Sequence, residues 1–417
     1  MALIFIALSI VGCSTESDDI DPFAVRYDAS TGPVIVTISR GEDGTRVPAI
    51  VDVLSPITIL DTFEMDMPLP TQTRRAGELV LHGQTTGGST VKRFRFPNTD
   101  IFDIHPCGVD ELDFCRVGEN ATTRSIQGVL GTDVLSDHAL RIDFASSELF
   151  MFPDIAGDTA SRGEVCDAVF PRPYSGGGTL LIGGAEVNYT GGRLALGVCA
   201  DFDVNVGVDD EVPVYDGVDM LLLLTTAMVP TMISESAYVR YQSSTVGSAM
   251  PPLADLASTT VHLPSGPISG KAATLQRLAL VGEANDRRGP CREQFANYMM
   301  IGDECTTRTS VSDAVCPCTS GRFCRAGAVV EINSTIDVIV VNDLHPMLQA
   351  LRNELRPDLA EADGLLGVGA LSEVTIDLDY PNNRMLARCS EGATSCTARP
   401  EVRNRSSLLA PTSLCFP

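Results

Sequence analysis

Gly128-Val-Leu-Gly131-Thr-Asp-Val-Leu135-Ser136 recurs as Gly364-Leu-Leu-Gly367-Val-Gly-Ala-Leu371-Ser372. The match continues without a gap: Asp143-Phe144 meets Asp379-Tyr380 and Leu149 meets Met385, a constant offset of 236 residues over more than twenty positions. Duplication is the simplest source of so long a match, and a repeat at this separation implies two similar lobes rather than a solenoid. Each copy reads as apolar-apolar-Gly, then a short turn or helix, then a strand of alternating burial. Gly131 and Gly367 are expected where another backbone approaches too closely for a side chain.

Outward from the repeat, the texture is that of a mainly β protein. Val34–Ile38, Ala49–Val51, Glu78–Leu81 and Arg93–Phe96 are short β-branched or alternating runs, punctuated by Gly, Pro, Asn and Asp. The 36 glycines and 25 prolines suit many tight turns. A helix is expected only over Leu344–Leu355, with Leu348, Leu351 and Leu355 on one face and Asp343 as its cap.

The two copies resemble the second half of each lobe in pepsin-like and retropepsin-like aspartic peptidases. The resemblance implies two related β-rich lobes of acid-protease type with a cleft between them. It also implies, earlier in each lobe, an apolar strand running into Asp-Thr-Gly-Ser/Thr. Lobe one offers Ala49-Ile-Val51-Asp52-Val53-Leu54-Ser55, where Asp and Ser stand but Thr-Gly has become Val-Leu. Lobe two offers Leu222-Leu-Leu224-Thr225-Thr226-Ala227, with Thr225 at the aspartate position and Ala227 at the glycine position; a one-residue shift puts Leu224 there instead.

That family's chemistry needs two carboxylates sharing one proton, so that one acts as base while the other is the acid. A carboxylate facing a threonine lacks the complementary acid. Leu54 places bulk where the family's loops pack closely, and Val53 removes a hydroxyl. Asp52 is therefore expected to be an inactive remnant and Thr225 the position of a lost aspartate. The rival is an atypical active endopeptidase using Asp52 with Asp216 or Asp219 as its acid. Between the two motifs lobe two is 63 residues longer, and the surplus holds Cys291, Cys305, Cys316, Cys318 and Cys324. It reads as a disulfide-stapled insertion at about 283–327, which is also able to fill the cleft.

Met1–Gly12 is uncharged and apolar or small, too short to span a bilayer but suited to a signal peptide. It ends Ile10-Val-Gly12-Cys13, which resembles the lipobox of bacterial lipoproteins, although no Lys or Arg precedes the apolar run. The expected organisation is signal peptide 1–12, lipidated tether 13–24, N-terminal lobe 25–165 and C-terminal lobe 166–417. Setting aside Cys13 leaves twelve of the thirteen cysteines, an even number that an exported chain would oxidise. Expected pairs are Cys107–Cys115, Cys166–Cys199, and Cys389 with Cys396 or Cys415. The resulting localisation is a bacterial cell envelope, lipid-anchored, periplasmic or surface-exposed, with the outer membrane favoured.

A net charge of −24 argues against nucleic acid. The five histidines are scattered and no Cys-x2-Cys pair is matched by a second, so neither metal nor cofactor is expected. Gly266-Pro-Ile-Ser-Gly270-Lys271-Ala is one residue short of a phosphate loop, and no Gly-x-Ser-x-Gly elbow occurs. Cys316-Pro-Cys318 reads as structural rather than redox-active, and the Asn-x-Ser/Thr matches at Asn120, Asn188, Asn333 and Asn404 as incidental. The expectation is a monomeric exported lipoprotein that binds an extended peptide or an envelope protein in its cleft, or serves a structural envelope role.

Overall fold

The structure is a computed structural model that describes residues 23–27, 32–61, 73–83, 93–104, 126–152, 168–171, 174–175, 178–182, 185–189, 193–205, 214–243, 250–263, 266–281, 329–354, 362–381 and 384–399. Residues 13–22 of the expected tether, Cys13 among them, and Cys107, Cys115, Cys166, Cys291, Cys305, Cys316, Cys318, Cys324 and Cys415 lie outside these residues, as does the whole of the 283–327 insertion. The chain is mainly β, in several sheets. Among the described residues no helix is long and apolar enough to cross a membrane.

The first half closes a barrel from Ile35–Arg40, Val47–Val51, Gly128–Leu130, Ile59–Asp61, Arg93–Ile104 and Thr73–His82. Its centre is a parallel pair in which Ala49, Ile50 and Val51 face Gly128, Val129 and Leu130. Ile59–Asp61 lies antiparallel on the other side, with Leu60 opposite Gly128. The second half repeats this unit: Leu222, Leu223 and Leu224 run parallel to Gly364, Leu365 and Leu366, and Ile233 stands opposite Gly364. These central strands are buried on all sides, which is why they read as unbroken apolar runs.

Register assigns the repeat residue by residue. Counterparts are 173 apart at Val51 and Leu224, 199 apart at Val80 and Ala279, and 236 apart at Leu130 and Leu366. The surplus of 63 residues in the second half is therefore split. The first 26 enter where the helix Glu235–Ser243 and the strand Ser258–Leu263 lie. The remaining 37 enter at the tip of the next hairpin, between Val281 and Val329, so the cysteine-rich segment accounts for only part of the difference.

A six-stranded sheet joins the halves in the order Phe23–Arg26, Glu148–Phe152, Ala139–Asp143, Val374–Asp379, Arg384–Cys389, Ala168–Pro171. The order is symmetric about its middle. Phe23 faces Met151 as Ala168 faces Ala387, and 151 and 387 are again 236 apart. The main hydrophobic core runs without a break from this sheet into both halves, through Leu130, Ile142, Leu149, Leu224, Leu366, Ile376 and Met385.

Two helical details depart from the sequence reading. The helix Pro346–Glu354 forms as expected, with Leu348 and Leu351 buried, but Asp343 does not cap it. Its carboxylate instead accepts from the Ser236 N–H at 3.0 Å and the Ser236 hydroxyl at 2.6 Å, at the start of the helix Glu235–Ser243. That helix was not expected, because Tyr238, Val239 and Tyr241 are weak helix formers. Ser234 caps it by accepting the Ala237 N–H at 3.2 Å, and Ala237, Tyr238 and Tyr241 are buried. Of the two partners expected for Cys389, the disulfide forms with Cys396, at a Cα separation of 5.5 Å. Cys199 is buried on the strand Arg193–Asn205.

Candidate functional site

The loops following Val51 and Leu224 meet where the halves join. Their backbones are held alike: the Asp52 N–H donates to the Leu130 carbonyl and the Thr225 N–H to the Leu366 carbonyl, both at 3.0 Å. The Leu54 N–H donates to Asp52 Oδ1 at 3.0 Å, and the Ala227 N–H to Thr225 Oγ1 at 3.2 Å. Thr58 Oγ1 accepts the Gly131 N–H at 3.0 Å, as Thr231 Oγ1 accepts the Gly367 N–H at 3.4 Å. Ser55 is turned into its own loop, its hydroxyl donating to the Ile57 carbonyl at 2.8 Å. A methyl group on Gly131 would collide with the Ile57 carbonyl, and one on Gly367 with the Pro230 carbonyl, so both glycines stand where close backbone approach excludes a side chain.

Between these loops Thr225 Oγ1 donates directly to Asp52 Oδ1 at 3.1 Å. The two residues are 8% and 1% exposed, and Thr226 is fully buried. Where the sequence reading set Asp52 and Thr225 across a cleft, the structure brings them into contact, and that separation has no room for a bridging water. The neighbouring Thr226 also spans the halves, donating from Oγ1 to the Val51 carbonyl and accepting the Val53 N–H at 3.2 Å. Val53, the counterpart of Thr226, has no hydroxyl with which to return the bridge.

Burial holds the Asp52 carboxyl above its ordinary value, against the Leu54 N–H, the Thr225 hydroxyl, the Thr226 N–H and the charge of Arg193, all of which favour the carboxylate. Burial, and then the Asp52 charge, keep the Tyr380 phenol high. Asp216 and Asp219 precede Thr225 by nine and six positions on the strand Val214–Leu224. At about 3.3 Å per residue this is roughly 20–30 Å of strand, too far to share a proton with Asp52. Among the described residues no group of three or more His, Cys, Asp or Glu is placed to hold a metal ion.

One contributor, Arg193, escaped the sequence reading, and another, Leu54, reaches further than expected. Arg193 opens an apolar strand, is 6% exposed, and donates to the Leu54 carbonyl. A single Arg after Gly-Gly carries no motif, and only the fold brings it to this loop. Leu54, expected to place bulk where the loops pack closely, is 4% exposed in a cluster otherwise drawn from the second half, with Leu223, Met228, Met232, Ile339 and Leu365.

No family model matches the chain, and no curated protein matches it. Solved structures similar to it include basic 7S globulin from soybean, at 12% identity and TM-score 0.40 over 90% of this chain and 97% of that one. Conglutin gamma, a basic 7S globulin from lupine seeds, is 13% identical at TM-score 0.41 over 88% of this chain and 95% of that one. The aspartic proteinase from Irpex lacteus is 11% identical at TM-score 0.37 over 90% of this chain and 99% of that one.

Proposed function

We propose that this chain is a catalytically inactive protein of aspartic-peptidase type, exported and lipid-anchored through Cys13, that binds a peptide or protein segment or serves a structural role in the envelope. The observation that carries the loss of catalysis is the hydrogen bond from Thr225 to Asp52 at 3.1 Å. A neutral hydroxyl occupies the place of the second carboxylate, so there is no pair to share a proton and no division into acid and base. The same bond adds to that of the Leu54 N–H on Asp52 Oδ1. The binding role follows from keeping the two-half architecture without its chemistry, since an extended segment can add to exposed strands by backbone hydrogen bonds.

Incubation with a mixed peptide library from pH 3 to 8, comparing wild type with Asp52→Asn, tests the catalytic part. Equal background cleavage is the expected result. Cleavage lost in the variant and blocked by a transition-state-mimicking inhibitor would overturn it. Mass spectrometry of the mature N-terminus beside a Cys13→Ala variant tests the anchor, and an unmodified Cys13 on a soluble wild type would remove it.

A further inference from the structure

We infer that the loop Asp52–Ser55 is an interlobe lock, with Leu54 as its bolt and Arg193 as its clamp, which makes the two halves open as one body. Halves of a chain joined by a modest interface ordinarily move against each other, unless apolar contact ties them. Here the tie is specific. Ala227, the counterpart of Leu54, ends in a methyl group, whereas the Leu54 side chain is buried among residues of the opposite half. Arg193, from the second half, donates to the Leu54 carbonyl and so holds the loop in place from behind.

Further hydrogen bonds cross at the same point. The Val34 N–H donates to the Thr226 carbonyl at 3.0 Å, Thr226 bridges Val51 and Val53, and Thr225 reaches Asp52. A carboxylate pair that must admit substrate and water cannot be plugged in this way. Once hydrolysis is not required, the larger side chain at position 54 is free to join the halves.

Hydrogen–deuterium exchange of the full chain, read by mass spectrometry, tests the lock. Leu54→Ala and Arg193→Met are each expected to speed exchange in both 47–60 and 221–234 by at least about tenfold, because each removes a contact shared by the two halves. The joining sheet, 139–152 and 374–389, should keep its protection. Val36→Ala, inside the first barrel, serves as the comparison and should speed exchange in the first half alone. If Leu54→Ala behaves like Val36→Ala, leaving 221–234 as protected as in wild type, the lock is refuted. Should Leu54→Ala fail to fold, Arg193→Met carries the two-sided reading. Leu54→Met, which conserves volume, is then expected to retain wild-type protection on both sides, and loss of protection on one side only would equally refute the lock.

Discussion

Arg141 and Asp377 stand directly opposite each other on neighbouring antiparallel strands, and they are also each other's repeat counterparts, 236 positions apart. The local two-fold axis therefore passes between them. In a symmetric pair of identical halves, a residue at this place would face its own copy, and a charge there would be repelled. In the single chain the two positions have diverged to opposite charges. Asp377 accepts from Arg141 Nε at 2.6 Å and Nη2 at 3.0 Å, and from Arg388 Nη2 at 2.7 Å. The bidentate geometry is the strong form of this interaction.

Asp377→Ala leaves two guanidinium groups, on the strands that flank its own, without the carboxylate between them, and is expected to cost about 3 kcal/mol in chemical denaturation. Arg141→Met combined with Asp377→Leu should lose less, because one guanidinium, that of Arg388, rather than two is then left without the carboxylate. A double variant less stable than Asp377→Ala would show that the pair does more than neutralise itself.

Gly131→Ala and Gly367→Ala place a methyl group on the carbonyls of Ile57 and Pro230. Backbone cannot rotate away as a side chain can, so each should lose at least about 1–3 kcal/mol, and by similar amounts because the surroundings are repeated. Thermal unfolding of the two variants side by side reads this. A neutral result at either glycine would contradict the close approach there.

Asp52 gives an inverted pH signature. Its carboxyl is raised in the folded chain, chiefly by burial. The stability it contributes is therefore present below the unfolded value and lost as pH rises through the folded value. Asp52→Asn, which is neutral at every pH, should raise Tm at pH 7 and have little effect near pH 3. A variant that lowers Tm at pH 7 would mean that Thr225, Leu54, Thr226 and Arg193 together more than offset the burial of the charge.

His82 works in the opposite sense. It is 5% exposed, its Nε2 lies 2.7 Å from the Ser39 hydroxyl, and burial with the charges of Arg46 and Arg93 lowers its folded value. That hydroxyl donates to the Gly41 carbonyl at 2.6 Å, so the neutral ring is the donor to it. A lowered histidine contributes stability that is present above its unfolded value, about 6.5, and lost as pH falls through the lower folded value. His82→Gln should flatten the fall of Tm on acidification below about pH 6.5. An unchanged slope would assign the fall to other groups, such as His138 and His345, which are lowered as well.

The repeat and its offset are legible in the order of residues alone. The pattern Gly-apolar-apolar-Gly is dictated locally, by a buried strand that must pass close to another backbone, so it survives divergence and can be read without coordinates. Short β-branched or alternating runs at 34–38, 49–51, 78–81 and 93–96 likewise marked parts of the strands Ile35–Arg40, Val47–Val51, Thr73–His82 and Arg93–Ile104. The residues of the two loops at 52–55 and 225–227 were also legible, and with them that a threonine rather than a carboxylate stands at 225. Tertiary structure alone decided that Thr225 touches Asp52, that Leu54 belongs to the opposite half's core, and that Arg193 reaches the same loop. It decided too that the Asp343 carboxylate accepts a backbone N–H at the start of the helix beside it rather than of its own. These contacts join positions more than a hundred residues apart, and no local propensity or period encodes which distant surface a given side chain will meet.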